Sequence, residues 1–273
     1  VEQDSVAGLG IMQMNDAYEI TRFEEKPKDP ELQKALQLPK TWYERLNISS
    51  DKDLWLASMG IYIFNRKTIL ELLDNAETDF GKHIIPGAIE THKLSSYVFQ
   101  GYWEDVGTIK AFFEANLDLT SLVPKFNFFD MQSPVFTRPR FLPASKVNGG
   151  HIAHSLLSDG CIVQGARLKD CMLGIRSIVG ADADLEEVVM MGGDFYESQD
   201  SIEQSEVQGC PRIGIGSGTT VRHAIIDKNA RIGKNCRITP DGKPQDMDHG
   251  LYHMRDGIVI IPKNAIVPDN TVL

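Results

Sequence analysis

The chain has 273 residues, 42% of them hydrophobic and 24% charged, with a formal net charge of -10 and a pI near 5.2. That composition supplies a core for one large domain or two smaller ones and excludes a disordered chain. The acidity argues against a nucleic-acid surface while leaving room for a local basic pocket that takes an anionic metabolite.

Taken from its first residue, the chain opens at Val1 rather than at a methionine and passes at once into alternating apolar and polar residues. A fragment lacking an N-terminal part is expected. From Val1 to about Leu119, the runs "GLGIMQM", "EITRFEEKP", "LASMGIYIF" and "SSYVFQGYW" read as strands, with helices near 30–38, 67–75 and 108–119. This alternation predicts the end of an α/β domain. Asn65 and Thr108 stand where N-caps belong. The motif "GYWEDVGT" at 101–108 therefore puts Trp103, Glu104 and Asp105 at a strand-to-helix connection, where ligands of open α/β sheets commonly bind.

The segment Leu122 to Lys146 is rich in proline and aromatics, too broken for a helix and too apolar for a solvated linker. It reads as a structured bridge. Within it Arg138 and Arg140 flank Pro139, either converging on an anion or forming a solvated basic turn. Beyond the bridge the period becomes six: Leu156, Ile162, Leu168; Leu173, Val179, Leu185, Met191; Ile213, Thr219, Ile225; Ile226, Ile232, Ile238; and Ile260, Ile266, Val272. Six-residue spacing with glycine-containing corners predicts the coils of a left-handed parallel β-helix. The stretches "GGDFYESQDSIEQSEVQG" and "TPDGKPQDMDHGLYHMRDG" are then excursions from the solenoid.

Cys161, Cys171, Cys210 and Cys236 have neither CxxC spacing nor a compact arrangement of histidines around them, which fits a reducing compartment better than a zinc or disulfide scaffold. No run has the length and apolarity of a signal peptide or membrane span, so a soluble intracellular protein is expected.

Several side chains have chemistry worth placing. In "FEEKP", Lys26 suits neutralisation of a sugar phosphate and Glu25 suits acceptance of hydrogen bonds from sugar hydroxyls, with an exposed Glu-Lys turn as the alternative. "SMGIY" offers the Ser58 hydroxyl and, at Gly60, close approach of ligand to backbone; the end of a core strand looks the same. "DFGKHIIP" adds Asp79 and Gly81, without the surrounding motifs of a kinase. Asp105 is a hard oxygen ligand for Mg²⁺ if phosphate oxygens and a second carboxylate complete the shell, and Trp103 reads as a pocket wall.

Together "FEEKP", "SMGIY", "DFGKHIIP", "GYWEDVGT", "RPRFLP", the hexads, "AIIDKNARIG" and "GIVIIPKNA" resemble the glucose-1-phosphate adenylyltransferases, or ADP-glucose pyrophosphorylases, over almost the whole chain. The resemblance implies the C-terminal part of an α/β nucleotidyltransferase-type domain over 1–120, a bridge over 121–146 and a left-handed parallel β-helix over 147–273. It implies Lys26 as the sugar-phosphate lysine, Glu25 as a sugar contact, Ser58 and Gly60 in the substrate pocket, Asp105 as a Mg²⁺ ligand, and Asp79 and Trp103 as pocket support. The implied reaction joins ATP and α-D-glucose 1-phosphate into ADP-glucose and pyrophosphate, in glycogen or starch synthesis. Arg138, Arg140, Lys228 and Lys263 match basic positions that bind a small anionic allosteric effector in plant-like members. A homo- or heterotetramer is implied, in the cytoplasm of a bacterium or the plastid stroma of a plant.

The family's Gly-rich nucleotide loop, its basic catalytic residue and a second magnesium aspartate have no counterpart in these residues, so the fragment is expected to be inert alone. A catalytically weak regulatory subunit is one alternative. A β-helical acyltransferase using His154 or His223 is another, and it leaves the α/β half without a use.

Overall fold

In "GLGIMQM", the apolar residues of β1 (Gly10–Met14) turn Ile11 and Met14 inward, and β2 (Ile20–Glu25) runs back antiparallel so that Gly10 faces Glu25. β3 (Leu56–Ala57) pairs with the other edge of β1, giving the order β2-β1-β3. The computed structural model describes all residues from 1 to 273 and divides them into two compact units, Val1–Trp103 and Glu104–Leu273.

Short helices cover the small sheet of the first unit. α1 (Gln3–Val6) contributes Val6, and Leu36, the C-cap of α2 (Pro30–Ala35), joins it in a core with Ile11 and Trp55; α3 (Thr41–Arg45) contributes Trp42 and Tyr43 to a second core with Met14, Leu38 and Leu46. α2 starts where it does because Asp29 accepts from the Glu31 N–H and Pro30 occupies the first turn, where its missing N–H costs nothing. α4 (Arg66–Leu72) follows Asn65, whose side chain makes no capping hydrogen bond. A π-type turn at Phe80–Ile84 then leads into α5 (Ile85–Thr91), which packs on β2.

Two expected strands are corrected. "LASMGIYIF" is extended in the ladder only at Leu56–Ala57, and Ile61 and Ile63 stand 73% and 99% exposed. "SSYVFQGYW" makes a single bridge, Ser95 to Glu19, and no strand. Alternation describes a segment that is able to be a strand, but a ladder also needs a neighbour, and beyond Leu56–Ala57 and the Ser95 bridge neither segment has one here. "GYWEDVGT" accordingly lies in irregular backbone before a helix, not at a strand end.

In the second unit, α6 (Ile109–Asp118) begins at Thr108, whose hydroxyl accepts from the Ala111 N–H. Its Phe113 is buried with Val189, Ile225 and Ile258 of the domain that follows. That domain winds in coils: β4 (Lys146–Asn148), β5 (His151–Ala153) and β6 (Leu156–Leu157); β7 (Ile162–Gln164) and β8 (Arg167–Leu173); β9 (Ile178–Val179) and β10 (Asp184–Met190). An excursion carrying α7 (Gln199–Val207) precedes β11 (Gly214–Ile215), β12 (Thr220–Ile226), β13 (Arg231–Ile232) and β14 (Arg237–Ile238). A second excursion holds β15 (Met247–Asp248) and β16 (His253–Arg255), after which β17 (Ile258–Ile261) and β18 (Ile266–Val267) resume the winding.

All coil-to-coil pairings are parallel. Val163 faces Val179 and Leu168 faces Leu185, one coil apart each time. The result is a parallel β-helix with a single internal stack of aliphatic side chains. The longer strands bend midway at Asp170, Glu187 and His223, all at positive φ, so one strand lines two faces. A second corner column holds Arg176, Asn229 and Asn264, also at positive φ.

The hexad reading is right about the period and wrong about the phase in two runs: in the first, Val163 is buried and Leu157 packs on the core in place of the expected Ile162 and Leu156, which are only half-buried. Leu173, Val179 and Leu185 are buried, as are Ile226, Ile232 and Ile238. In the final coil the buried set is Ile261, Val267 and Leu273, while Ile266 is 47% and Val272 74% exposed. These strands offer two adjacent apolar residues, and a period of six does not say which faces inward.

Candidate functional site

Strand pairing brings the first cluster together. Gly10 lies opposite Glu25, and the Ser58 N–H donates to the Gly10 carbonyl at 2.8 Å. A Cβ on Gly10 would lie 2.9 Å from Glu25 Oε2, and one on Gly81 only 2.6 Å from the same oxygen. The Glu25 carboxylate is therefore seated in a cradle of two glycines, with its side chain 22% exposed. Lys26 follows at φ 49°, its N–H bound to the Leu9 carbonyl and its ammonium free to water, 4.0 Å from Glu25 Oε1. A left-handed lysine is held there because Pro27, buried, fixes the exit.

The Ser58 hydroxyl is within 3.1 Å of the Tyr62 hydroxyl and accepts from the Gly60 N–H at 3.2 Å; Gly60 takes φ 69°. Asp79 caps the π-type turn by accepting from the Lys82 N–H at 2.9 Å. That backbone hydrogen bond, with the nearby Lys82 charge assisting, holds its carboxyl below the usual range against a desolvation penalty. Its cap places Gly81 against Glu25, so Asp79 supports the cluster without presenting its carboxylate to it.

Trp103 is half-buried and closes the first unit. Asp105 is exposed at the start of the second, its carboxylate folded back so that a Cβ on Gly107 would lie 3.0 Å from Oδ2. The chain has no group of three His, Cys, Asp or Glu able to cage a metal. A single exposed carboxylate fits Mg²⁺ in the way that ion is often bound, by one or two carboxylates together with substrate phosphates and water.

The second cluster lies on the corner column of the β-helix. Lys228 and Lys263 both reach Asp194: Lys228 Nζ is 3.0 Å from Oδ1 and Lys263 Nζ 3.6 Å from Oδ2. Asn229 fixes that carboxylate, donating to Oδ2 at 3.0 Å while its own Oδ1 accepts from the Asp194 N–H at 2.8 Å. Hydrogen bonds from Lys228 and Asn229, with the two lysine charges, hold the Asp194 carboxyl down to about 2. Arg138 and Arg140 are exposed and enter no ion pair; Arg140 donates to the Arg138 carbonyl. The structure thus joins two of the four basic residues expected at an anion site.

Gly10 and Asp194 were invisible as site residues. "GLG" carried a faint signal in its second glycine, facing a strand that ends in a carboxylate. Asp194 carried none, since only the stacking of coils brings it to residues 34 and 69 positions later.

The histidines also find their places. His154 Nδ1 is 3.3 Å from Asp170 and His223 Nδ1 2.6 Å from Glu187, while the edge of His223 meets the Phe113 ring. Each histidine is a member of a charged corner column, engaged by a neighbouring coil.

Residues 1–121 match the model of the nucleotidyl transferase family, and residues 140–272 match the model described as the GLGC left-handed parallel beta-helix domain. The chain has the two-domain architecture of the glucose-1-phosphate adenylyltransferase family. An α/β nucleotidyltransferase unit precedes a left-handed parallel β-helix, as expected from the sequence. It is a transferase chain, a sugar-phosphate nucleotidyltransferase of the ADP-glucose pyrophosphorylase type. The acyltransferase alternative has no support from either match. No helix is long and apolar enough to cross a membrane.

Proposed function

We propose that this chain belongs to an enzyme that transfers AMP from ATP to α-D-glucose 1-phosphate, giving ADP-glucose and pyrophosphate for glycogen or starch synthesis. The observation that supports it best is the convergence of Glu25, Gly10, Gly81 and Ser58 beside the exposed Lys26 ammonium, within a nucleotidyl transferase domain.

A sugar phosphate has two ends, and this cluster offers a group for each. Lys26 is a point charge for the phosphate, while Glu25 accepts from sugar hydroxyls and the two glycines keep its carboxylate in place. Ser58 and the Gly60 backbone complete the rim. The bound phosphate oxygen attacks the α-phosphorus of ATP with pyrophosphate leaving on the opposite side, and no protein nucleophile is needed. Mg²⁺, with Asp105 as a protein ligand, would offset the negative charge of the phosphates. ATP, glucose 1-phosphate, a small anionic effector and a homo- or heterotetrameric assembly are the partners of this reading. Its setting is the cytoplasm of a bacterium or the plastid stroma of a plant.

The test is formation of ADP-glucose and pyrophosphate by the full-length protein, with UTP and dTTP as competing nucleotides. Lys26→Ala should weaken use of glucose 1-phosphate by roughly 10²-fold, about 3 kcal/mol, with a smaller effect on ATP. Equal losses for both substrates, or none, would remove Lys26 from the sugar-phosphate site.

A further inference from the structure

Lys228 and Lys263 come from turns of one form, "DKNA" and "PKNA", in successive coils. Asn229 and Asn264 both take φ 60° and stack side chain to side chain, Asn229 Nδ2 donating to Asn264 Oδ1 at 3.2 Å. The two lysines therefore leave the same corner on neighbouring levels. Between them, Asp194 is delivered from the beginning of the α7 excursion, and it is Asn229, itself buried, that locks its carboxylate in both directions. The carboxylate is thus held by Asn229 in addition to the lysines, so it keeps an anchor when they release it. The rest of the excursion is tied down separately: Tyr196 donates to the Gly160 carbonyl, Arg176 donates to the Gly193 carbonyl, and Glu197 pairs with Arg231.

We infer that Asp194 is a tethered internal anion that occupies the place of an effector's charged group, so that an effector phosphate binds by displacing its carboxylate from Lys228 and Lys263. The inference rests on reading these lysines as an anion site and adds what fills that site at rest. Both lysines and Asp194 remain partly open to water, with side-chain exposures of 33%, 52% and 40%, so an anion reaches them without unfolding. While Asp194 is engaged, its charge cancels one of the two cations and repels an incoming phosphate. Its carboxyl, held near 2, does not surrender that charge at neutral pH. Asp194 then sets the effector concentration at which the site fills: a competitor fixed to the chain raises the threshold without touching the substrate cluster.

Titration of the chain with inorganic phosphate by calorimetry tests this, with Asp194→Asn, Lys228→Gln and Lys263→Gln compared. Asparagine keeps the shape and most of the Asn229 contacts while removing the charge, and Asp194→Ser serves as a second variant if the first melts early. Release of one exposed pair is worth up to about fivefold and Asp194 engages two lysines, so roughly five- to tenfold tighter phosphate binding is expected for Asp194→Asn, lost again when Lys228→Gln is added. Unchanged or weaker binding in both Asp194 variants, with Lys228→Gln still weakening it, overturns the tethered-anion role and leaves the anion site standing. Phosphate binding indifferent to both lysines, or absent from every variant, overturns the anion site itself.

Discussion

Arg231→Met should destabilise the β-helix by about 3 kcal/mol while leaving the first unit untouched. Arg231 Nη1 lies 2.7 Å from Glu197 Oε1 and donates to the Pro211 carbonyl at 2.7 Å, and Glu197 Oε2 accepts from the Ile213 N–H at 2.9 Å. The pair is the most enclosed ion pair of the chain, with side chains 18% and 4% exposed. Removing the guanidinium strands a carboxylate with almost no access to water, a change that costs about 3–5 kcal/mol when one partner of a buried pair is deleted. The lower end applies because the shorter methionine opens a path for water from the side where Arg231 was exposed. Over a denaturant slope of roughly 2 kcal/mol per molar urea, 3 kcal/mol moves the midpoint by about 1.5 M. The readout can be separated by unit, because Trp42, Trp55 and Trp103 all lie in the first unit. Far-UV circular dichroism should show the shifted transition and tryptophan fluorescence should not. Adding Glu197→Gln to Arg231→Met should recover much of the loss, since the amide still accepts from Ile213 and carries no charge. A single variant within 0.5 kcal/mol of the parent, or a double variant worse than the single, refutes the buried-pair account.

Gly81→Ala puts a methyl 2.6 Å from Glu25 Oε2 and 3.0 Å from its Cδ, so the end of that flexible side chain must swing away. Glucose 1-phosphate binding, followed by calorimetry, should weaken at least tenfold, about 1.4 kcal/mol, with a melting temperature close to that of the parent. Ile261→Ala should cost about 2–5 kcal/mol in urea denaturation, whereas Ile266→Ala, at a site 47% exposed, should cost less than about 1 kcal/mol. A larger cost for Ile266→Ala than for Ile261→Ala would mean that the last coil is wound in the other phase.

Much of the architecture was legible because its signals are local. The six-residue period follows from short strands between tight corners, and the glycine, asparagine and aspartate corners are residues that accept positive φ. The Thr108 cap was readable for the same reason: it concerns four consecutive residues. The phase of the last coil was not, since "IVII" and "AIVP" place apolar side chains on both faces and only the pairing of β17 with β12 and β18 with β13 decides between them. Nor was the loss of two strands in the first unit, because a strand's existence depends on an edge supplied from elsewhere. Of the site residues, Glu25 and Lys26 were legible as chemistry and their glycine cradle was not, since that cradle joins positions 10, 25 and 81.

The contrast between the two clusters follows from the way each unit transmits position. In the first, residues converge through one antiparallel pairing and a capped turn, so Glu25 depends on Gly10, on Gly81 and on the Asp79 cap that sets the turn. In the second, every level of the β-helix repeats the same corner, and insertions leave and return without altering the stack: Arg176, Asn229 and Asn264 share one column although an excursion lies within each interval. Such a column makes residues from remote parts of the sequence neighbours, and an excursion that starts at the column is able to deliver a charge back to it. Asp194 is delivered in this way. The same scaffold that fixes the lysines thus allows their counter-ion to sit on a segment that can change in sequence without disturbing the coils, so the proposed tuning of an anion site is separated from the stability of the fold.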